Sequence, residues 1–407
     1  MNKTNSSPSI WGGACIIATV CVGAGMLGLP TAGAGGWFFW SILIMSATMI
    51  IMTLSGAMLL ESLKGFPSKA SYSTITKDIL GKNVSFINNV SVYFVGFIIL
   101  YAYITSIGLL LGDIFEVNEK LLSFLSVFFL SFFVWRSTRA VDRASVLLVI
   151  FMFLSFIILT YDLFFSINSD ILMDYKNKDD NYAIKSLILF PVALTSFGYH
   201  HSVSTMRNYY GSEKKAVKAI SLGTLIALSF YIVWIFCIFG NIPREGFIPI
   251  INNGGNVDFL ISSLSNRVGG DIIEKASFSF SLAAIISSFI GVGLGLFDFI
   301  SDFFKFEDNK SGRTKSWFIT FIPPLIFSII FPFGFVTAIG YAGAIATIWT
   351  CIIPAILVIK TRRSSKITEG FRVPGGTFIA LTVMVFGFFI AISHYLNMMN
   401  ILPNLTS

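Results

Sequence analysis

Eleven long apolar segments divide the chain and restrict what it can fold into. They cover about residues 10–35, 37–60, 85–111, 120–136, 144–167, 183–206, 216–241, 274–303, 317–335, 336–360 and 374–399. A helix needs about 20 apolar residues to cross a bilayer, and in lipid every backbone polar group must find a partner within the protein. The pattern therefore predicts an all-α polytopic membrane protein with 11 transmembrane helices.

The distribution of charge supports this interpretation and predicts an orientation. Only 12% of the 407 residues are charged and 55% are hydrophobic, whereas soluble domains carry roughly 25% charged residues. With the N-terminus in the cytoplasm, 21 of the 28 Lys and Arg residues fall in inner loops, which agrees with the positive-inside rule. We therefore expect a cytoplasmic N-terminus and an outer C-terminus. The net charge of +7 does not predict a nucleic-acid partner, because the basic residues are spread over short loops between apolar segments.

The first apolar segment is interrupted by Gly23–Pro30 (GAGMLGLP). A lipid-facing helix cannot give up its backbone hydrogen bonds, because each unpaired polar group in hydrocarbon costs several kcal/mol. Such a break is tolerated where it is buried or lines a cavity, and in transporters unwound segments of this kind hold the substrate. We therefore predict substrate contacts at Gly23, Ala24, Gly25 and Met26.

Two other interpretations of the same residues are weaker. GAGMLG matches the dinucleotide pattern G-x-G-x-x-G, which needs a preceding strand and an acidic residue about 20 positions later. Here a membrane helix precedes the pattern, and the first acidic residue is Glu61. Close helix packing through small residues is the other alternative, but packing alone does not account for Pro30.

A second break lies in the sixth apolar segment, at Pro191–Ser202 (PVALTSFGYHHS). Segments one and six cross the membrane in opposite directions, which predicts an inverted repeat of five plus five helices with the binding site between the two breaks. At this break we predict substrate contacts at Ser196, Phe197, Gly198 and Tyr199. The predicted units are a cytoplasmic tail (1–9), two five-helix repeats (10–182 and 183–372), and an additional helix with the outer C-terminus (373–407). The outer loop Ile242–Ile273 is expected to hold a short helix around Phe259–Leu264.

The chemistry of such breaks suits a zwitterion. Carbonyl groups at the end of a first half-helix attract a cation, whereas the N–H groups at the start of a second half-helix attract a carboxylate. Two opposite poles a few ångströms apart match the ammonium and carboxylate of an amino acid.

A few polar side chains within the apolar segments are candidates for coupling. His200 and His201 are adjacent, so on a helix they point about 100° apart and cannot both face one site. Histidine titrates near neutral pH, and we predict that His200 has a coupling or substrate role; a neutral, hydrogen-bonded histidine is the alternative. Asp298, near the inner end of the eighth segment, is a candidate gate or ion-pair partner, or else an interfacial solvated acid.

Hydroxyl groups offer a second coupling model. Ser287 is a candidate substrate contact, and Ser288 is a candidate Na⁺ ligand together with carbonyls of the first break, although serine also packs helices. Tyr101 and Tyr103 in the third segment are predicted to form an aromatic wall of the substrate site. The four cysteines lack the spacing of metal ligands, so we predict neither a metal site nor a cofactor, and H⁺ or Na⁺ as the coupling ion.

Four stretches of sequence resemble those of the hydroxy/aromatic amino acid permeases. They are GGACIIATVCVGAGMLGLPTAGAGGWFFW, LTSFGYH with the Tyr209-Tyr210-Gly211 tripeptide, GTLIALSFYIVWIFCIFGNIPREGF and SSFIGVGLGLFDFISDFFKF. The resemblance implies a bacterial inner-membrane carrier with the fold of the amino acid–polyamine–organocation superfamily and proton-driven import of aromatic amino acids. Within the family the chain is most similar to the tryptophan- and tyrosine-specific permeases, and GNIPREGF followed by GGNVDFL is more similar to the tryptophan carriers. Those carriers usually have Gly where this chain has His201.

These observations favour a secondary active transporter over other classes. A channel needs a ring of carbonyls or charges along a continuous pore, and a membrane enzyme needs clustered histidines or acids; the sequence shows neither. We expect import of aromatic amino acids, with tryptophan favoured and tyrosine next, by a monomer in the lipid bilayer. A sodium-coupled carrier of the same fold and a serine/threonine carrier remain alternatives.

Overall fold

The computed structural model describes residues 9–67, 70–136, 138–175, 181–268, 271–332, 334–364 and 370–406, with the backbone alone described at 138–146 and 271–272. The tail predicted over residues 1–9 lies outside this range except for its last residue. All regular structure in the described residues is helical. The α-helices are α1 (Ile10–Cys21), α2 (Leu29–Gly33), α3 (Trp37–Leu63), α4 (Tyr72–Leu80), α5 (Lys82–Phe115), α6 (Glu119–Arg136), α7 (Thr138–Phe165), α8 (Ser169–Met173), α9 (Tyr182–Lys185), α10 (Leu189–Ser196), α11 (Val203–Tyr210), α12 (Glu213–Asn241), α13 (Phe247–Asn252), α14 (Val257–Val268), α15 (Asp271–Phe304), α16 (Lys310–Ile330), α17 (Phe335–Thr347), α18 (Ile353–Arg363) and α19 (Gly376–Met398). Short 3₁₀ turns cover Ala24–Gly28, Ser186–Ile188, His200–Ser202 and Arg244–Gly246, and a π-helical turn covers Ile348–Ile352.

Most of the predicted membrane segments are long apolar helices. Among the described residues, eight helices are long and apolar enough to cross a membrane, or nine if α1 and the helix after it form one span bent by 50°. These nine correspond to nine of the eleven predicted segments. The other two segments are α6 and α16, which are 18 and 21 residues long and carry charged residues or a Pro-Pro pair. The all-helical, multi-pass character of the chain is thus confirmed.

Capping residues at the helix ends explain why some predicted bounds differ from those of the structure. The segment predicted at 317–335 begins at Lys310 and ends at Ile330. Its start is fixed by Asn309, whose side-chain oxygen accepts a hydrogen bond from the Gly312 N–H at 2.8 Å, as an N-cap does. Hydropathy alone does not detect such a cap. At the end of α11, Gly211 adopts a left-handed φ of 58°, which glycine does without steric cost.

Close packing through small residues positions the helices that carry the two breaks. Gly223 of α12 lies against α1, where a Cβ would come within 2.6 Å of the Ala14 carbonyl oxygen. A Cβ on Gly343 of α17 would come still closer to the Pro191 carbonyl oxygen of α10. Small residues let helix backbones approach in this way. As a result, α12 runs directly beside α1, and α17 beside α10.

A buried ion pair joins α3 to α18 at the end of the molecule predicted to face the cytoplasm. The Glu61 carboxylate is completely buried and accepts hydrogen bonds from Arg362 Nε at 2.8 Å, from Arg362 Nη2 at 2.7 Å and from the Val373 N–H at 2.8 Å. A buried charge is tolerated only with such pairing. The pair therefore links α3, α18 and the segment that leads into α19.

The loop predicted to hold a short helix contains two, α13 and α14. They are joined by a turn in which Gly254 and Gly255 have φ values of 75° and 69°. Glycine is required at Gly254, because a Cβ there would lie 2.6 Å from Gly334 Cα. After the turn, the Asn256 side-chain oxygen accepts a hydrogen bond from the Phe335 N–H at 3.0 Å. The loop is thereby fixed to the start of α17.

Asp258, in the first turn of α14, is expected to make stability depend on pH. Burial raises the pKa of its carboxyl from 3.8 to about 6, and Asp113 and Glu119 add repulsion. Because the pKa is higher in the folded state, this contribution to stability is complete below about pH 4 and is lost as the pH rises through 6. Asp258→Asn should raise the melting temperature at pH 7.5 by a few degrees and reduce the pH dependence between 4 and 7, measured by thermal unfolding in detergent. Asp302→Asn, at an exposed position, is the control and should change neither quantity.

Candidate functional site

The first helix is interrupted at the predicted position. Helix α1 ends at Cys21, Gly23 is extended (φ −155°, ψ −153°), and a 3₁₀ turn over Ala24–Gly28 leads into α2. Pro30 lies in the first turn of α2, where proline is tolerated because its missing N–H has no intrahelical partner there. At the break, the C-terminal end of α1 therefore lies next to the N-terminal end of the 3₁₀ turn.

The sixth predicted segment is interrupted in the same way. Helix α10 ends at Ser196, Phe197–Tyr199 are not helical, and a 3₁₀ turn over His200–Ser202 leads into α11. The side chains of Phe197 and Tyr199 are completely buried. This break is therefore enclosed by protein rather than exposed to lipid.

The two breaks contact each other. A Cβ placed on Gly25 would lie 3.2 Å from Ser196 Oγ and 3.4 Å from Ser196 Cα. The backbone of the first break thus packs directly on the last residue of α10. Gly25 and Ser196, one predicted residue from each break, are therefore in contact.

Tyr231 of α12 joins the two broken helices. Its hydroxyl lies 2.7 Å from the Cys21 carbonyl oxygen and 2.7 Å from the Ser196 carbonyl oxygen, and its side chain is completely buried. These carbonyls end α1 and α10, so both carry the partial negative charge of a helix C-terminus. A hydroxyl has one proton and donates to one acceptor at a time, so the two helix ends together keep unused acceptor capacity. That arrangement suits a bound ammonium group.

We expect Tyr231→Phe to weaken both the fold and the site. Losing a buried hydrogen-bond donor costs about 1–3 kcal/mol when its acceptor stays buried. The variant should therefore unfold at a lower temperature in detergent and take up less substrate. Tyr161→Phe, which removes a hydroxyl from an exposed side chain, is the matched control. Equal melting temperatures and equal uptake for the two variants would show that the Tyr231 hydroxyl contributes to neither stability nor transport.

The Ser288 hydroxyl contacts the first break, whereas the Ser287 hydroxyl bonds within its own helix. Ser288 Oγ accepts a hydrogen bond from the Ala24 N–H at 3.0 Å, and a Cβ on Gly23 would lie 2.5 Å from the same oxygen. The Ser287 hydroxyl instead donates to the Ala284 carbonyl of its own helix at 3.1 Å. Tyr103 is buried, with its hydroxyl beside Ser288. Ser288 and Tyr103 therefore form the side of the site provided by α15 and α5.

His200 is held in a buried hydrogen-bond network. Its Nε2 atom lies 3.0 Å from Ser55 Oγ, and the Ser55 hydroxyl donates to the Thr350 carbonyl. Because Ser55 uses its only proton on Thr350, its oxygen accepts from the ring, so Nε2 carries the proton. The Nδ1 atom is buried without a hydrogen-bond partner. The network thus leaves one nitrogen of His200 as an unpaired acceptor.

The π-helical turn of the tenth segment provides the carbonyls for this network. Tyr72 donates to the Trp349 carbonyl at 2.6 Å, in the same way as Ser55 donates to Thr350. The Trp349 ring meets His200 edge to face, with the centroids 6.1 Å apart. On its other side, His200 stacks on Tyr199 at 4.9 Å. π-Helical turns occur frequently at functional sites, and here the turn anchors α3 and α4 beside the second break.

Other predicted residues lie away from this contact. The Tyr101 hydroxyl donates to the Phe331 carbonyl at 2.5 Å and so closes the end of α16. Asp298 is exposed on α15, about 15 Å along the helix from Ser288 at 1.5 Å per residue. His201 is exposed while His200 is buried, so the two adjacent rings have different surroundings. In the part of the chain that the structure describes, no three His, Cys, Asp or Glu side chains are grouped as metal ligands would be.

Comparison with known proteins identifies relatives along the whole chain. The model of the tryptophan/tyrosine permease family matches residues 6–394. The tryptophan-specific transport protein of Haemophilus influenzae is 42% identical over 394 residues, covering 94% of this chain and 94% of that protein. The tyrosine permease of Enterobacter agglomerans is 33% identical over 413 residues, covering 98% of each.

A solved structure shares the fold. A mutant of the Eremococcus coleocola manganese transporter superposes with a TM-score of 0.64 over 98% of this chain and 88% of that chain, at 12% sequence identity. At so low an identity the likeness concerns the fold alone. The architecture described above is therefore one that a membrane transporter also uses.

Proposed function

The chain belongs to the tryptophan/tyrosine permease family, and from that premise we propose that it imports aromatic amino acids across a bacterial inner membrane by proton symport. Tryptophan is the favoured substrate and tyrosine the next. The protein is a transport protein rather than an enzyme. The proposed topology has eleven crossings, with the N-terminus in the cytoplasm and the C-terminus outside. Residues 10–182 and 183–372 form the two inverted repeats, α19 is the additional helix, and the carrier works as a monomer.

The observation that carries this proposal is the convergence of the two breaks at Tyr231. The carbonyl ends of α1 and α10 offer acceptors for the substrate ammonium group, and the positive N-terminal end of the 3₁₀ turn that begins at Ala24 favours its carboxylate. An amino acid has both groups on one carbon atom, so it can satisfy both poles at once. The preference for tryptophan over tyrosine is supported by sequence identity, which is 42% to the tryptophan-specific transport protein and 33% to the tyrosine permease.

Proton coupling is assigned to His200. Its unpaired Nδ1 is a buried acceptor next to the second break, so a proton taken up there changes the charge close to the bound substrate. The sodium alternative relies on Ser287 and Ser288, but the Ser287 hydroxyl donates to its own helix and the Ser288 oxygen already accepts from Ala24. Each of the two oxygens still keeps a lone pair for Na⁺, so these bonds do not exclude a Na⁺ site, and the choice between the two ions depends on the gradient experiment below.

Uptake into proteoliposomes tests the proposal. Labelled tryptophan, tyrosine and serine are supplied with either a pH gradient or a Na⁺ gradient, each imposed alone. We expect accumulation of tryptophan, and less of tyrosine, under the pH gradient without Na⁺. Accumulation that needs Na⁺ would support the sodium alternative, and preferred uptake of serine would support a hydroxy amino acid carrier. Flux that never exceeds the equilibrium distribution under either gradient would indicate a channel.

A further inference from the structure

A cavity of about 250 Å³ lies between helices α2, α10 and α17 and the additional helix α19. Its walls come from α2 and α10, which adjoin the two breaks, from α17, and from α19 with the C-terminal segment that follows it. The cavity is on the side of the molecule predicted to be outer. It is separate from the contact between Gly25 and Ser196, neither of which lines it.

Two buried polar side chains in the wall have no hydrogen-bond partner. They are Thr31, through Oγ1, and His394, through Nε2. The two residues are only 4% and 8% exposed, so bulk water does not satisfy them. A buried polar atom without a partner is unfavourable, and two such atoms around one cavity indicate that a ligand completes the site.

The polar part of the lining favours a carboxylate. The Thr31 hydroxyl and a ring N–H of His394 are hydrogen-bond donors, and Lys185 adds a cation to the same wall. No Asp or Glu is among the described residues that line the cavity. Asn397 and Asn400 supply amide oxygens on the α19 side, which can accept from an ammonium group.

Most of the remaining lining is apolar, with Thr337 and Asn404 as polar members. Ile188, Val192, Ile251, Val336 and Met398 form the apolar part, and the Tyr341 ring meets His394 edge to face at a centroid distance of 5.0 Å. A lining that combines a few donors with many apolar side chains matches an amino acid with a large apolar side chain. At about 250 Å³ the cavity is slightly smaller than the pockets of about 300–1,000 Å³ that hold drug-sized ligands, and so it suits a smaller ligand.

We propose that this cavity is a second binding site, which holds an apolar amino acid by its carboxylate through Thr31, His394 and Lys185. The proposal rests on the proposed function, because it assigns the outer site the same class of ligand as the transported substrate. A ligand there touches α2, α10, α17 and α19 together. It therefore ties the additional helix to the outer halves of both broken helices.

Equilibrium binding of labelled tryptophan to the purified full-length protein in nanodiscs tests this site. We expect two molecules bound per chain in the wild type and one in Gly25→Val, in which the central site is closed. Thr31→Val combined with Gly25→Val should weaken the remaining binding at least tenfold, which is the effect of losing about one hydrogen bond to a charged group. Thr382→Val, an exposed position on α19, combined with Gly25→Val is the matched control and should leave it unchanged.

Two ligand analogues test the chemistry, and one spectroscopic signal tests the location. Indole-3-propionate, which keeps the carboxylate, should compete at the outer site, whereas tryptamine, which lacks it, should not. The chain has three histidines, so ¹⁵N-histidine labelling gives few signals, and tryptophan should shift the one assigned to His394 in the Gly25→Val protein. If the wild type binds one tryptophan and still takes it up, and Gly25→Val binds none, the second site is overturned and the proposed function stands. If the wild-type protein neither binds nor takes up any aromatic amino acid, the proposed function itself is overturned.

Discussion

Replacing Gly25 with valine is expected to abolish transport while the protein still folds. The Gly25 backbone packs on Ser196, where even a Cβ would lie 3.2 Å from Oγ and 3.4 Å from Cα. The two further methyl groups of valine must push the first break away from the second, and with it the poles that hold the substrate. A displacement of about 1 Å at such a site lowers rates by about 100-fold, so we expect at least that loss in tryptophan uptake.

The matched control is the same substitution at Gly291 on α15. A Cβ there has nothing within 4 Å, so Gly291→Val should retain uptake. Gly25→Ala adds one methyl group at the tight but adjustable distance of 3.2 Å and should give an intermediate rate. Uptake is measured in proteoliposomes, and size-exclusion chromatography with thermal unfolding establishes that each variant is folded. Wild-type uptake by a folded Gly25→Val protein would place the substrate somewhere other than the two breaks.

The positions of the breaks can be predicted from the sequence because they violate a local rule. Gly25 and Gly198 lie in apolar segments that otherwise read as continuous helices, and lipid does not tolerate an unpaired backbone. The violation therefore indicates both a break and its burial. The helical class follows in the same way from segment length and hydropathy.

The residues that complete the site cannot be found from such patterns. Tyr231 and Ser55 are ordinary members of apolar helices, and nothing nearby in the chain distinguishes them from residues that only pack. Their importance comes from carbonyls that are distant in sequence, at Cys21 and Ser196 for Tyr231 and at Thr350 for Ser55. The π-helical turn that presents Thr350 has the same hydropathy as an α-helical turn. Only the packing of α3, α12 and the tenth segment brings these groups together.

The directions in which the Tyr101 and Ser287 side chains point cannot be predicted from the sequence pattern. Each lies close in sequence to a residue that does contact the site, Tyr103 and Ser288. A helix turns by about 100° per residue, so neighbours in the chain face different directions. Tyr101 closes α16 and Ser287 bonds to its own helix, and their predicted role as substrate contacts remains a prediction.

Replacing His200 with glutamine is expected to uncouple transport from the proton gradient. If one proton enters with each substrate, a gradient of one pH unit supports about tenfold accumulation, because one pH unit corresponds to about 1.4 kcal/mol. Glutamine keeps a hydrogen-bond donor for Ser55 but does not take up a proton. In His200→Gln the accumulation ratio should therefore fall close to one, while exchange of internal for external tryptophan continues. Both quantities are measured in the same proteoliposomes.

Variants around His200 separate a coupling role from a structural one. His201→Gln changes the exposed neighbour and should leave accumulation unchanged. Ser55→Ala removes the acceptor that keeps the proton on Nε2, so it should weaken pH-driven accumulation more than exchange, and Ser55→Thr, which restores the hydroxyl, should recover it. A merely structural role would lower accumulation and exchange equally. Undiminished pH-driven accumulation in His200→Gln would remove His200 from the mechanism. Uptake that strictly requires Na⁺ would remove proton coupling altogether. Ser288 at the first break would then be the better candidate for binding the coupling ion.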